Sequence, residues 1–576
     1  MAPKALPQIK GKPMLKGTDD YEKKRAEIVQ ALNEAIPEEY HLDKSLVEKP
    51  PLDVTQIPRS CGILTPTDLE ITEDHDATSL LKAIASRKYT SVQVATAFCK
   101  RAAIAHQLTS CLTDFFQDEA LERAQYLDKH LEEHGKPIGP LHGLPISIKA
   151  HMAITERYSD WGSLYSLKKI EHDSLTAKIL REAGAVFYVK TNQPQSIMHL
   201  ETDSFWGRTL NPYNINLSSG GSSGGEAALN ALRGSVMGVG SDIGGSIRGP
   251  AGFCNIHGFK PQGFTTGGFA AELNVLATGG PMCRTLRDAD LYMRVMRSAN
   301  LHLHDPSIIR TPWTGLATEL SKPLKIGIMK HDGAITPHPP VTRTLNWATS
   351  TIKSSPLASQ FTLKPFSSYK AAHGQELLHS KLYFPETPSH LRAEFTATGE
   401  PELPLTTWAF RKAPQQELNA TEIAEQRWQR DRFRREFLAH WNAQDVDFVL
   451  CPVFVGAASM HDTAKYWNYT SLWNLVDYPG MVIPTPIRVK DKAEEDKYPE
   501  DWEAMSEEDK DVRRMWEEGG FEGAPIGLQV VARKWFDNEL MAAVGMLEEA
   551  LGYRPLPGED EVPVLDWNKL QRGLCT

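Results

Sequence analysis

Apolar residues first recur at helical spacing, then shift to short strand-like runs set between helices. Tyr21, Ile28, Leu32 and Ile36 fall on roughly one face behind Thr18 or Asp19, either of which can cap a helix. Residues 76–107 predict two helices joined near Lys88-Tyr-Thr-Ser91, with Thr90 or Ser91 capping the second. Asp118 to His134 predicts another amphipathic helix, stopped by Gly135 and Pro137. Residues 1–17, ahead of all of these, read as a loose tail.

From Gly139 the pattern changes. Gly139-Pro-Leu-His-Gly-Leu-Pro-Ile-Ser-Ile-Lys149 reads as a turn feeding a short strand. Asp173 to Ala183 reads as a helix ending at Gly184, and Ala185 to Lys190 as a strand buried on both faces. Helix Glu226 to Leu232 and strand Ser235 to Gly240 follow a Ser/Gly-rich run. Further strands are predicted at 324–329, 446–450 and 526–531. The alternation implies an α/β fold, a single large domain with helices over a sheet and a helical N-terminal extension. The Pro-rich stretch 354–420 reads as irregular, either a lid or pocket wall or surface excursions. The charge-dense stretch 490–518 reads as a solvated insertion.

Composition narrows the function class. Apolar residues are 41% and charged residues 24%, ordinary for a globular chain, and the formal charge of −10 leaves no basic footprint for nucleic acid. No apolar run of membrane length or signal peptide is visible. Seven scattered cysteines, never spaced Cys-x-x-Cys, point to a reducing, cytoplasmic setting rather than a disulfide framework. No His-Glu-x-x-His or paired-cysteine metal motif occurs, so neither a metal nor another cofactor is expected.

The run Ser218-Ser-Gly-Gly-Ser-Ser-Gly-Gly-Glu226, followed by Gly240-Ser-Asp-Ile-Gly-Gly-Ser-Ile-Arg248, buries little apolar area and calls for a chemical reason. A phosphate loop is one reading, but no Lys-Ser/Thr follows and Glu226 would repel a phosphate. A hydrolase elbow is a second: Gly220-Gly-Ser-Ser-Gly224 matches Gly-x-Ser-x-Gly with Ser222 central, and His461 beside Asp462 could complete it. A third uses both clusters and a lysine. Ser246 follows Gly244 and Gly245, whose amides could converge on an oxyanion. Lys149 closes an apolar strand, and a desolvated lysine loses its proton easily enough to act as a base.

These motifs together resemble the amidase signature family. Gly-Gly-Ser-Ser-Gly-Gly at 220–225, Asp-Ile-Gly-Gly-Ser-Ile-Arg at 242–248 and His142-Gly-Leu-Pro-Ile-Ser-Ile-Lys149 match its pattern. So do Lys190-Thr-Asn-Gln-Pro-Gln195, Lys260-Pro261, Tyr478 to Pro484 and Gly523 to Val530. The resemblance spans roughly residues 60 to 552, and the segment Thr90 to His106 is most similar to fungal acetamidases and general amidases.

The resemblance implies a mixed central β-sheet covered by helices on both faces. It divides the chain into an N-terminal helical extension (1–75), a catalytic domain (76–555) and a tail (556–576). It implies an amidase acting on a small-molecule amide, with ester or carbamate hydrolysis on the same scaffold, or a binding protein that kept the fold, as alternatives. Ser246 would be the nucleophile, Ser222 a bridging serine on a cis peptide, and Lys149 the base. Ile243, Gly244, Gly245 and Ser246 would supply oxyanion amides. Ile197 and Met198 would stand where the substrate channel begins. Thr191 and Asn192 would brace the relay, and Asp242 with Arg248 would orient the serine loop as an ion pair. The long N-terminal helices are candidates for a homodimer interface. Two departures stand out: Ala150 and His151 replace the family's usual acid after the lysine, and Gln262-Gly-Phe-Thr-Thr-Gly267 lacks its usual Thr-x-Gly-Arg pattern.

Overall fold

A computed structural model describes residues 5–263, 274–385, 387–490 and 496–553. The helices form where the capping signals stand. Thr18 caps Asp19–Glu34, and Thr90 caps Ser91–Thr109 through a reciprocal bond pair with Gln93. Gly135 ends Gln117–His134 in the left-handed conformation. Ser91–Thr109 is buried over most of its surface, from Val94 to Leu108, so it is a core helix rather than a surface one.

Among the described residues the core is an eleven-stranded sheet. In chain order its strands are β1 (Leu112–Phe115), β2 (Pro145–Lys149), β3 (Val186–Thr191), β4 (Met237–Asp242), β5 (His257–Lys260), β6 (Thr278–Cys283), β7 (Leu324–Ile328), β8 (Phe361–Pro365), β9 (Phe448–Pro452), β10 (Gly480–Ile483) and β11 (Leu528–Ala532). Their spatial order is β1-β3-β2-β4-β6-β5-β10-β11-β9-β7-β8. The trio β3-β2-β4 is parallel, as is the trio β9-β7-β8, and the strands between the trios pair antiparallel. The sheet is therefore mixed, as expected. β2, β3 and β4 are buried at every position, which explains their near-continuous apolar runs.

Four expectations change. Residues 5–17 are not loose. Ile9 is buried and its amide donates to the Gln107 carbonyl at 2.9 Å. Lys12 pairs with Asp462 at 2.7 Å, and Thr18 N–H reaches the Gly399 carbonyl at 3.0 Å. These contacts are long-range packing, which local polarity does not announce. The stretch 354–420 holds the edge strand β8 and helices Ala371–Leu377, Ser389–Thr398 and Pro404–Phe410, so it is an ordered wall. The stretch 490–518 ends in helix Glu507–Glu518, whose Asp509 and Val512 are buried; Asp509 accepts from the Thr336 amide at 2.8 Å. Its charges are solvated on one face only. Strand β4 also begins two residues later than its apolar run suggested. Residues 556–576 and the 264–267 part of the second family departure lie outside the described residues.

Candidate active site

The parallel trio places the lysine. Lys149 ends β2, opposite Thr191 of β3, while its neighbour Ile148 pairs with Val239 of β4. The side chain is fully buried. Its Nζ lies 2.6 Å from Ser222 Oγ and 3.1 Å from Ser241 Oγ. Burial pushes Lys149 well below the usual lysine range, and the charges of Asp242 and Glu226, which act the other way, are outweighed. A neutral amine at this position can accept a proton through Ser222.

Ser222 follows a cis Gly221–Ser222 peptide. A Cβ on Gly221 would stand 2.5 Å from the carbonyl oxygens of both His199 and Glu201, so only glycine fits. Ser246 is only 7% exposed. Its carbonyl accepts from the Ser223 amide at 3.1 Å, which ties the two serine loops together.

Asp242 organises the second loop. It accepts from the Gly245 amide at 2.9 Å and the Ile247 amide at 3.2 Å. The Arg248 guanidinium grips both of its oxygens at 3.0 Å, and Asn474 Nδ2 donates to it at 2.9 Å. Burial works against the carboxylate, but Arg248 holds it well below the usual carboxylate range. The expected ion pair is thus present. The Gly245 amide, however, is committed to Asp242. Gly245 has φ +124°, and a Cβ there would run into Thr470. Thr470 Oγ1 donates to the Gly244 carbonyl at 2.8 Å, and Tyr383 Oη to that of Ile243 at 3.1 Å.

Ile197 and Met198 are part-buried, and Ser196 and Ile197 both have left-handed backbone at φ +61° and +60°. That is uncommon for a β-branched residue. His461 Nδ1 bonds Glu201 Oε1 at 2.7 Å. This candidate histidine of the hydrolase-elbow reading is thus engaged by a carboxylate rather than by Ser222. Glu201, Asp203 and Asp462 have ligand oxygens within 4.8 Å of one another, the donor set for a cation, but the Arg208 guanidinium bonds Glu201 and Asp462 among them.

A family model described as Amidase matches residues 93–541. The chain belongs to the amidase signature family. This amidase is similar to the acetamidase of Aspergillus oryzae, 34% identical over 91% of this chain and 97% of that one. It is similarly related to the acetamidase of Emericella nidulans, 33% identical over 90% and 96%. A solved fatty acid amide hydrolase superposes with a TM-score of 0.86 at 32% identity, covering 93% of this chain and 97% of that one. The amidase is a hydrolase acting on amides. Among its described residues, no helix is long and apolar enough to cross a membrane.

Sequence reasoning missed Glu226 as part of this amidase's site. It lies at the start of helix Gly224–Ala231, fully buried, and accepts from Ser147 Oγ at 2.6 Å and Thr191 Oγ1 at 2.8 Å. Burial raises its carboxyl to about 7, while Ser147, Thr191 and the Lys149 charge pull it down. The signal was a lone acid directly after a Ser/Gly run. Thr191 thus braces Glu226 rather than the serines. Asn192 accepts the Gly225 amide at 3.2 Å through its carbonyl, which fixes the same helix end. In the missing acid's place, Ala150 is buried, and His151 bonds Gln193 Oε1 at 2.8 Å. Burial, with Lys149 adding to it, drives His151 down to about 3, so it is neutral.

Proposed function

We propose that this amidase cleaves a carboxylic amide to carboxylate and ammonia or amine through a Ser-Ser-Lys relay. The observation that carries the reading is the buried 2.6 Å contact between Lys149 Nζ and Ser222 Oγ, on a lysine whose proton burial makes easier to lose.

Ser246 Oγ attacks the amide carbonyl. Its proton passes to Ser222 Oγ as the Ser222 proton passes to Lys149 Nζ. The tetrahedral oxyanion is met by amides of the Ile243–Ser246 turn. The relay then runs backwards. Lys149 returns a proton through Ser222 to the departing nitrogen, the C–N bond breaks, and an ester remains on Ser246. Water, deprotonated by the same relay, hydrolyses that ester. Asp242 and Arg248 take no proton; they hold the turn in shape.

Similarity to two acetamidases supports a small or medium monocarboxylic amide as this chain's substrate. Ester and carbamate hydrolysis would use the same relay.

A fluorophosphonate probe followed by intact mass tests the reading. Wild type is expected to gain one adduct and Ser246→Ala none. An unlabelled wild type, or a Ser246→Ala chain that labels equally well, would sink it.

A further inference from the structure

β7, helix Pro339–Ser354 and β8 form a βαβ unit at the edge of the sheet, with the two strands parallel and β8 outermost. In open α/β sheets, ligands bind in the crevice outside the carboxyl ends of parallel strands. A cleft of about 570 Å³ lies at that place, within the usual size of a small-molecule site. One wall is the chain just after Ile328, where β7 ends, and another is the chain just after Pro365, where β8 ends. A face of the helix closes the third side. β7 stands seven places from β2 in the sheet, roughly 30 Å at about 4.8 Å per strand, so the cleft is separate from the Lys149 site.

The lining is one-sided in charge. Lys330, Lys353 and Lys364 stand on it, and among the described residues no carboxylate does, in a chain whose formal charge is −10. Lys364 Nζ is shared with Asp445 at 2.7 Å. Among the described residues Lys330 and Lys353 have no acidic partner. His331 Nδ1 accepts from the Gly333 amide at 3.2 Å, which puts the ring proton on Nε2 and makes that atom a donor.

The turn carrying Lys330 and His331 is held from beneath. Asp332 is 2% exposed and accepts from Tyr466 Oη at 2.6 Å and Asn468 Nδ2 at 3.2 Å. It also accepts from the Ala334 and Ile335 amides at 2.9 Å and 3.0 Å. On the helix, Asn346, Thr349 and Lys353 recur at three- and four-residue spacing, which puts them on one face. A site formed in advance by its scaffold spends little entropy on binding. Leu363 and Phe366 add carbon surface to the lining, which suits an organic skeleton better than a bare ion.

We propose that this cleft is a second ligand site, which takes a small organic anion carrying two or more negative charges. Lys330 and Lys353 hold its oxyanion groups, His331 Nε2 donates to them, and Leu363 and Phe366 face its carbon skeleton. Polycarboxylates and phosphate monoesters share this chemistry. The site is independent of the acyl-transfer reading.

The test is calorimetric titration of the full chain at low ionic strength with citrate, with glycerol 3-phosphate and with glycerol as the neutral control. At least one of the anions is expected to bind, and glycerol is not. Tighter citrate assigns a polycarboxylate, and tighter glycerol 3-phosphate assigns a phosphate monoester. Lys330→Gln/Lys353→Gln should weaken the anion about 5–30-fold, the loss of two exposed charge pairs. Thr349→Glu, which sets a carboxylate in the lining, should weaken it by a similar factor through like-charge repulsion. Amide hydrolysis and the unfolding midpoint are expected to match wild type in both variants. Failure of both anions to bind would overturn the proposal. So would an affinity that is the same in wild type and in Lys330→Gln/Lys353→Gln, or glycerol binding as tightly as the anions.

Discussion

Lys149 and Arg248 are both fully buried cationic side chains, and both serve the loop that carries Ser246, yet their chemical company differs. Arg248 grips both oxygens of Asp242 and also reaches Asn474. Lys149 bonds two hydroxyls and no carboxylate. A buried charge persists only where a partner replaces the water it lost. Arg248 has that partner and keeps the turn in shape. Lys149 lacks one, gives up its proton more readily, and becomes available for chemistry. One part of the site is built to hold charge and the other to pass it.

The largest effect is expected from removing the unpaired side. Lys149→Met keeps the volume but deletes the base, and kcat/KM should fall by about 10⁴, near the upper range for a general base. Its Tm at neutral pH should hold. The pH dependence has a definite sign. Burial lowers folded Lys149 below its unfolded range, so between the two the unfolded state binds more protons. Wild-type stability from this group therefore rises with pH toward the ordinary lysine range, and the variant loses that slope. A large Tm fall at neutral pH, or retained activity, breaks the comparison.

Next comes the paired side. Asp242→Asn strips the carboxylate from Arg248 and should cost about 3–5 kcal/mol, read from denaturant unfolding. Its carboxylate is held low by Arg248, so the stability it supplies is present above the unfolded aspartate range and is lost as pH falls through the lowered value. Unfolding unchanged in Asp242→Asn would show that the pair is not what holds the turn.

The smallest effect sharpens the contrast. Glu226→Gln keeps the shape but removes a negative charge that favours protonated Lys149. The acid limb of kcat/KM tracks protonation of Lys149, and it should move to lower pH by less than about one unit. A shift to higher pH would contradict the electrostatic account.

Much of this site was legible because its chemistry is concentrated in three short segments. Lys149, Ser222 and Ser246 sit in runs whose glycines and hydroxyls have no use in a core. The Asp242–Arg248 pair could be read because its members lie within one turn. The remainder depends on distance along the chain. Tyr383 and Thr470 reach Ile243 and Gly244 from 140 and 226 residues away, and nothing local marks them. The Ala150 departure could be seen in the sequence but not interpreted. Its meaning depended on finding His151 neutral and bonded to Gln193, so that Asp242 and Glu226 are left as the charges acting on Lys149.

The segment 5–17 bears on how this chain is made. Lys12 Nζ touches the His461 carbonyl, 449 residues further on, as well as the Asp462 side chain. During translation at roughly 5–20 residues per second, Lys12 must wait about 20–90 s before those partners leave the ribosome. Ile9 meets Gln107 much sooner. The early segment is therefore fastened at one end while its other end waits, and these long-range contacts close only after most of the sheet has been synthesised.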